Sequence, residues 1–166
     1  MGFPDDFAFE EPRVTIRWSE TFDEVLAKVH QGPVQLDPRT GGRCVVKAAT
    51  LLGMPLRATF HFDPEGGMRR VRLERGIAET DADSQMPESM AEQVARHGVA
   101  MAKRRKALEA VLGNGVEDSK ESPCAMRSAR WTSGAIVVEH QVSFNVERGD
   151  DECGYLADSI ELSRSS

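Results

Sequence analysis

The sequence predicts an α+β protein built as a tandem repeat, in which a helical N-terminal part packed on a three- to four-stranded antiparallel sheet occurs twice. Three observations predict it: a capped amphipathic helix followed by strand-like runs, a polar acidic break near residue 80, and a second helix-then-strands order beyond the break. The units read as an N-terminal tail at 1–12, a first repeat at 13–78, a linker at 79–86 and a second repeat at 87–164.

In the first unit Val14, Ile16 and Trp18 alternate with Arg13, Thr15 and Arg17, the two-residue period of a short strand. Thr21 with Glu24 three residues later then forms a capping box. Phe22, Val25, Leu26 and Val29 line one face of the helix, and Gly32-Pro33 stops it. Three strands follow at 44–52, 56–62 and 68–74, separated by Gly53, Pro55, Asp63, Pro64, Gly66 and Gly67. Alternation assigns Phe60, Phe62, Val71 and Leu73 to a face covered by the helix, and Thr59, His61, Arg70 and Arg72 to the opposite face.

The second unit opens with Pro87, and Met90, Val94, His97, Met101, Leu108 and Leu112 then recur at helical steps until Gly113. Strands are expected at 124–132, 135–146 and 155–162. Val138, Val142 and Phe144 mark the covered face there, leaving Val137, Glu139, Gln141 and Ser143 opposite. Leu26 aligns with Leu108 and Cys44 with Cys124 at offsets that agree to about two residues, which suggests duplication.

Composition narrows the functional classes. With 27 acidic against 21 basic residues the chain carries a net charge of −6, which opposes binding to nucleic acid and favours, at long range, a basic partner. Residues 1–11 lack the basic and apolar regions of an export signal, and no run nears the roughly 20 apolar residues of a membrane helix, so a cytoplasmic protein without membrane attachment is expected. Three widely spaced cysteines, Cys44, Cys124 and Cys153, fit reduced thiols rather than a zinc knuckle or redox pair.

No catalytic residue emerges. Nucleophile-elbow, phosphate-loop and dinucleotide signatures are missing, and His30, His61, His97 and His140 show no metal-ligand spacing, so neither metal nor cofactor is expected. His97 and His140 read as core-edge residues. The basic run Lys103-Arg104-Arg105-Lys106 wraps around a helix and reads as a solvated face, as does the acidic run Asp150-Asp151-Glu152 in a hairpin loop. Trp131 suits an aromatic anchor at an interface, with core burial as its alternative.

The stretch Trp18-Ser-Glu-Thr-Phe-Asp-Glu-Val-Leu-Ala-Lys-Val-His-Gln-Gly-Pro33 resembles the opening of the β-lactamase inhibitory protein-like superfamily, which includes the small lipoprotein of the barrel-assembly machinery. The likeness covers about 16 residues, and Arg105–Gly113 keeps a shorter echo of it in Ala-Leu-Glu-Ala-Val-Leu-Gly. The resemblance implies a tandem fold that grips a partner protein with its uncovered sheet faces, while both named relatives are exported and this chain shows no export signal.

The expected activity is therefore non-catalytic recognition of a partner protein, of the inhibitor, immunity or adaptor kind. Its site is expected at Thr59, His61, Arg70, Arg72, Trp131, Glu139, Gln141 and Ser143. Two other readings stay open. One is an acidic homodimeric scaffold of the secretion-chaperone type, paired through the helix at 90–112, so that the chain is either monomer or homodimer. The other is a small enzyme or ligand carrier using the space between the two sheets, with His61, His140 and Glu139 as polar groups.

Overall fold

Phe7 and Phe9 alternate with Asp6 and Ala8, a pattern that gives a short strand one apolar side. In the computed structural model, which describes residues 2–29, 35–37, 41–75, 90–120, 125–144 and 157–164, Asp6–Phe9 forms strand β1. It pairs antiparallel with β2, Val14–Arg17, placing Phe7 opposite Ile16. The ring of Phe7 meets Trp18 at 5.5 Å and Phe60 at 6.0 Å, and Phe9 meets Phe60 at 6.1 Å. Residues 1–12, expected as a tail, thus hold a strand and part of the core. Acidic neighbours mask an alternation only two rings long.

Helix α1, Phe22–Lys28, starts at the expected capping box: the Thr21 amide donates to Glu24 Oε2 at 2.8 Å and the Glu24 amide to Thr21 Oγ1 at 3.4 Å. Seven residues cannot hold a helix in water unaided, so packing must hold it. Phe22 stacks edge-on to Phe62 at 5.4 Å and lies flat on Gly42, where a β-carbon would stand 2.6 Å from the ring. At the other end Lys28 Nζ donates to Thr15 O at 2.9 Å and Glu20 Oε1 at 2.7 Å. The helix closes at Val29, before the expected stop at Gly32-Pro33, which lies outside the described residues.

The remaining strands are β3 (Gln35–Asp37), β4 (Gly41–Leu51), β5 (Met54–Phe62), β6 (Met68–Arg75), β7 (Val116–Lys120), β8 (Ala125–Ser133), β9 (Ile136–Phe144) and β10 (Ala157–Arg164). Helix α2, Met90–Leu112, lies between β6 and β7 in the chain. All eight strands form one antiparallel sheet in the order β3-β4-β5-β6-β10-β9-β8-β7. Each of β3–β6 and β7–β10 is a meander, and the two are joined where β10 pairs with β6.

The expected fold class needs correction here. Two separate three- to four-stranded sheets, each behind a helical N-terminal part, are replaced by a mostly-strand chain with one eight-stranded sheet, a two-stranded ribbon and two helices among the described residues. Sequence alternation identifies strands but not which edges meet. The short strands β3 and β7 escaped notice because Gln35-Leu-Asp37 and Val116-Glu-Asp-Ser-Lys120 carry almost no apolar residue. The expected linker at 79–86 lies outside the described residues.

One core unites the chain. Phe7, Phe60, Leu73, Leu108, Trp131, Ile160 and Leu162 belong to a single buried cluster drawn from ribbon, sheet and both meanders. Trp131 is held on this side by a 2.8 Å hydrogen bond from its indole to Gly113 O and by Gly115, where a β-carbon would lie 2.6 Å from the ring.

Because Phe60 is fully buried at the junction of ribbon and sheet, Phe60→Asp is expected to cost more than about 4 kcal/mol and to unfold both halves together. Urea melts followed at Trp18 and Trp131, each read separately in single-tryptophan variants, should give one midpoint; a native Trp131 signal after loss of Trp18 would mean independent halves.

Candidate recognition surface

The ribbon, α1 and α2 all pack on the same side of the sheet: Phe7 on Phe60, Phe22 on Phe62, and Arg104 and Arg105 on Asp158 and His140. The other side carries the alternate residues of every strand. Strand register arranges them in rows. One row runs Arg43, His61, Arg70, Ser163, Val137 and Thr132; the next runs Val45, Thr59, Arg72, Glu161, Glu139, Arg130 and Val116. A third holds Arg57, Glu74, Ser159, Gln141, Ser128 and Asp118.

Of the expected site residues, His61, Arg70, Arg72, Glu139 and Gln141 therefore share one continuous face rather than two separate ones, because β6 and β10 zip the meanders together. Thr59 lies on that face but is only 6% exposed, short among longer neighbours. Ser143 is placed by register opposite Met126 and Ala157, its side chain lying outside the described residues. Trp131 corrects the expectation: it sits on the covered side at 4% exposure, a core residue under α2. Its odd-numbered position in β8 puts it with Ala129, opposite to Arg130 and Thr132.

Charges on the face are partly paired. Arg72 Nε stands 3.3 Å from Glu74 Oε1, Arg70 Nη1 3.7 Å from Glu161 Oε1, and Gln141 donates to Glu139 at 2.9 Å. These pairs are exposed enough to be worth less than about 1 kcal/mol each. His61, half-buried and facing Arg70, Arg43, Arg69 and Arg72, has its pKa lowered from 6.5 to about 4, first by burial and then by those guanidinium groups. It is neutral at pH 7.

His61 and Glu139, expected with His140 around a space between two sheets, lie on the opposite side of the eight-stranded sheet from His140, so the three do not converge. Among the described residues no three or more His, Cys, Asp or Glu stand close enough to hold a metal ion, and no helix is long and apolar enough to cross a membrane. Cys44 is buried and unbridged, and burial pushes its thiol pKa up, away from reactivity. No family model matches the chain, and no curated protein or solved structure matches it either.

Beneath α2 lies a polar cluster that sequence reading missed. His140 and Asp158 are buried, with His140 Nε2 2.8 Å from Asp158 Oδ1. Arg105 Nε donates to His140 Nδ1 at 3.2 Å, which requires that nitrogen to be unprotonated and leaves Nε2 to donate to the carboxylate. Arg104 Nε reaches Asp158 Oδ2 at 3.4 Å, while its Nη2 donates to Pro55 O at 3.3 Å. Arg105 also pairs with Glu117 at 3.2 Å and lies over the Trp131 ring at 5.5 Å. Lys103-Arg104-Arg105-Lys106, expected as a solvated face, thus sends its two arginines inward.

A His–Asp pair matches two members of a Ser-His-Asp triad, but this one is enclosed. Both side chains are shut off from solvent, and the histidine nitrogen that a substrate would need is engaged by Arg105. Its role is to anchor the helix. Beside it, a cleft of about 650 Å³ between α2 and β7–β8 is lined by Arg105, Lys106 and Arg127 against Glu109, Glu117 and Asp118, with neither sign of charge in excess.

Burial pushes the Asp158 carboxyl up, but the His140 hydrogen bond and the Arg104 guanidinium more than offset it, leaving its pKa below the ordinary value. Asp158→Asn should lower stability, because it removes the buried carboxylate that His140 and Arg104 both face. In the wild-type chain, His61 binds a proton between pH 6.5 and 4 when unfolded but not when folded, so stability falls as pH drops through that window. Asp158 adds a further loss below the ordinary carboxylate range. Urea midpoints at pH 7, 5.5 and 4.5 should fall in sequence, and His61→Gln should flatten the series.

Proposed function

We propose that this chain is a non-catalytic protein-recognition module, of the inhibitor, immunity or adaptor kind, that engages a partner protein through the uncovered face of its sheet. The observation that carries this reading is the continuity of that face across the seven strands β4–β10, with every described helix and the ribbon on the other side. At about 4.8 Å per strand and 3.3 Å per residue, seven strands five residues long span on the order of 550 Å². A standard interface takes about 800 Å² from each partner, so the face supplies most of one.

The resemblance of Trp18–Pro33 to the β-lactamase inhibitory protein-like superfamily is a second support for the use of a sheet face in binding. The enclosed His140–Asp158 pair supports a role without turnover. Val137, partly exposed between long charged groups, adds apolar ground to a mostly polar face.

Site-specific photo-crosslinking tests the reading. A crosslinker placed at Arg72 or Gln141 should capture one discrete protein from the native host, whereas the same group at Glu10 or Lys106, both exposed on other surfaces, should not. Identical capture from all four positions, or none from the sheet face, would remove the proposal.

A further inference from the structure

Charge on the face that no described helix or ribbon covers is unevenly distributed. On β4–β6 it presents Arg43, Arg57, Arg70 and Arg72 against a single carboxylate, Glu74. Glu74 is engaged by Arg72, and Arg70 reaches across to Glu161 on β10. Arg43 and Arg57 form no ion pair among the described residues, and the Nε groups of Arg57 and Arg70 are buried without a hydrogen-bond partner. Arg69, exposed at the bulge beside Phe62, adds to the same field.

Register sets Arg43, His61 and Arg70 directly opposite one another on adjacent strands. Like charges placed this way oppose folding, and the uncharged state of His61 is one relief from that repulsion. A chain whose net charge is −6 nevertheless concentrates arginines here. The buried Nε groups are out of reach of an incoming ligand, but the guanidinium groups of Arg43 and Arg57, without a carboxylate partner among the described residues, mark a place where an anion would be held.

We infer that this arginine patch receives an acidic segment of the partner protein, a short run of Asp and Glu side chains laid across β4, β5 and β6. The inference rests on the recognition reading above and names the chemistry of its partner. Guanidinium groups present paired donors that match a carboxylate in two parallel hydrogen bonds, more directional than an ammonium contact. The patch is also bounded. Three strands span only about 10–14 Å, and beyond them Glu161 and Glu139 stand opposite each other on β10 and β9.

Those boundaries favour a protein segment over nucleic acid. A phosphate backbone continuing past β6 meets the two glutamates, and the net negative charge repels a long polyanion, whereas a short acidic run fits between. The long-range preference for a basic partner expected from composition is thus reversed locally, because contact energies depend on the charges that face each other and not on their sum.

The test uses the full chain with three probes at pH 7: a deca-glutamate peptide, a deca-lysine peptide and a ten-nucleotide single-stranded oligothymidylate. Amide shifts should show deca-glutamate binding confined to β4–β6, weakened about tenfold between 50 and 300 mM salt. Arg43→Glu with Arg57→Glu should weaken it at least tenfold, and the milder Arg43→Gln with Arg57→Gln by a smaller factor, both with unchanged far-ultraviolet circular dichroism. Glu139→Lys with Glu161→Lys should strengthen it and extend the shifts onto β9–β10.

Oligothymidylate binding as tight as deca-glutamate would overturn the inference in favour of nucleic acid. Light scattering that shows a dimer broken by the arginine variants would overturn it in favour of a second copy. No deca-glutamate shifts at 50 mM salt would also overturn it. In each case the recognition reading stands or falls separately: crosslinking from Gln141 that survives the arginine substitutions keeps the face and discards the acidic segment.

Discussion

The pairing of β6 with β10 is the constraint on which the rest of the molecule depends. Five successive pairs, from Glu74 with Ser159 to Arg70 with Ser163, join two meanders that would otherwise each end in an open edge. Because side chains alternate, the same seam acts on both sides of the sheet. Inward, Leu73 meets Ile160 and Val71 meets Leu162, all four buried, so the two cores become one. Outward, Arg72 meets Glu161 and Arg70 meets Ser163, so the arginine-bearing strands lie directly beside the glutamate-bearing ones. A slip of one residue at this seam would exchange the two sets and expose the core.

What covers the inner side differs from one half to the other. Over β4 and β5 the cover is aromatic, with Phe7, Phe9 and Phe22 meeting Phe60 and Phe62 through ring edges. Over β9 and β10 it is substantially polar: Leu108 and Trp131 supply apolar contact, but Arg104, Arg105, His140 and Asp158 fix the position of α2. Such a buried ion pair adds little net stability compared with well-packed apolar residues, since desolvation consumes most of its attraction. It does tie the helix to two places on the sheet, as Arg104 contacts both Asp158 on β10 and Pro55 O on β5.

The uncovered side follows a different chemistry. It carries no large aromatic side chain among its described residues and is dominated by arginine, glutamate and small polar groups. Recognition by such a surface would depend on paired charge and directional hydrogen bonds more than on a greasy anchor, and would respond strongly to salt. Placing Trp131 and Phe60 inside keeps the apolar side chains for folding and leaves the charged ones for contact. Sheet alternation achieves that division without any added element.

Much of this was legible in local sequence. The capping box at Thr21 and Glu24, the turns at Gly53 and Gly66, and the inward set Phe60, Phe62, Val71 and Leu73 follow from hydrogen-bonding capacity, backbone freedom and a period of two, all of which act over a few residues. The same period put His61, Arg70, Arg72, Glu139 and Gln141 on one kind of face. Sequence period could not say that β6 and β10 would pair, that Phe7 and Phe9 would cap the sheet, or that Trp131 and Arg104 would turn under α2. Those outcomes depend on which surfaces meet across dozens of residues. A tryptophan or arginine carries the same local signature whether it meets water or another strand, so only the packed structure, where desolvation and pairing are settled together, decides between them.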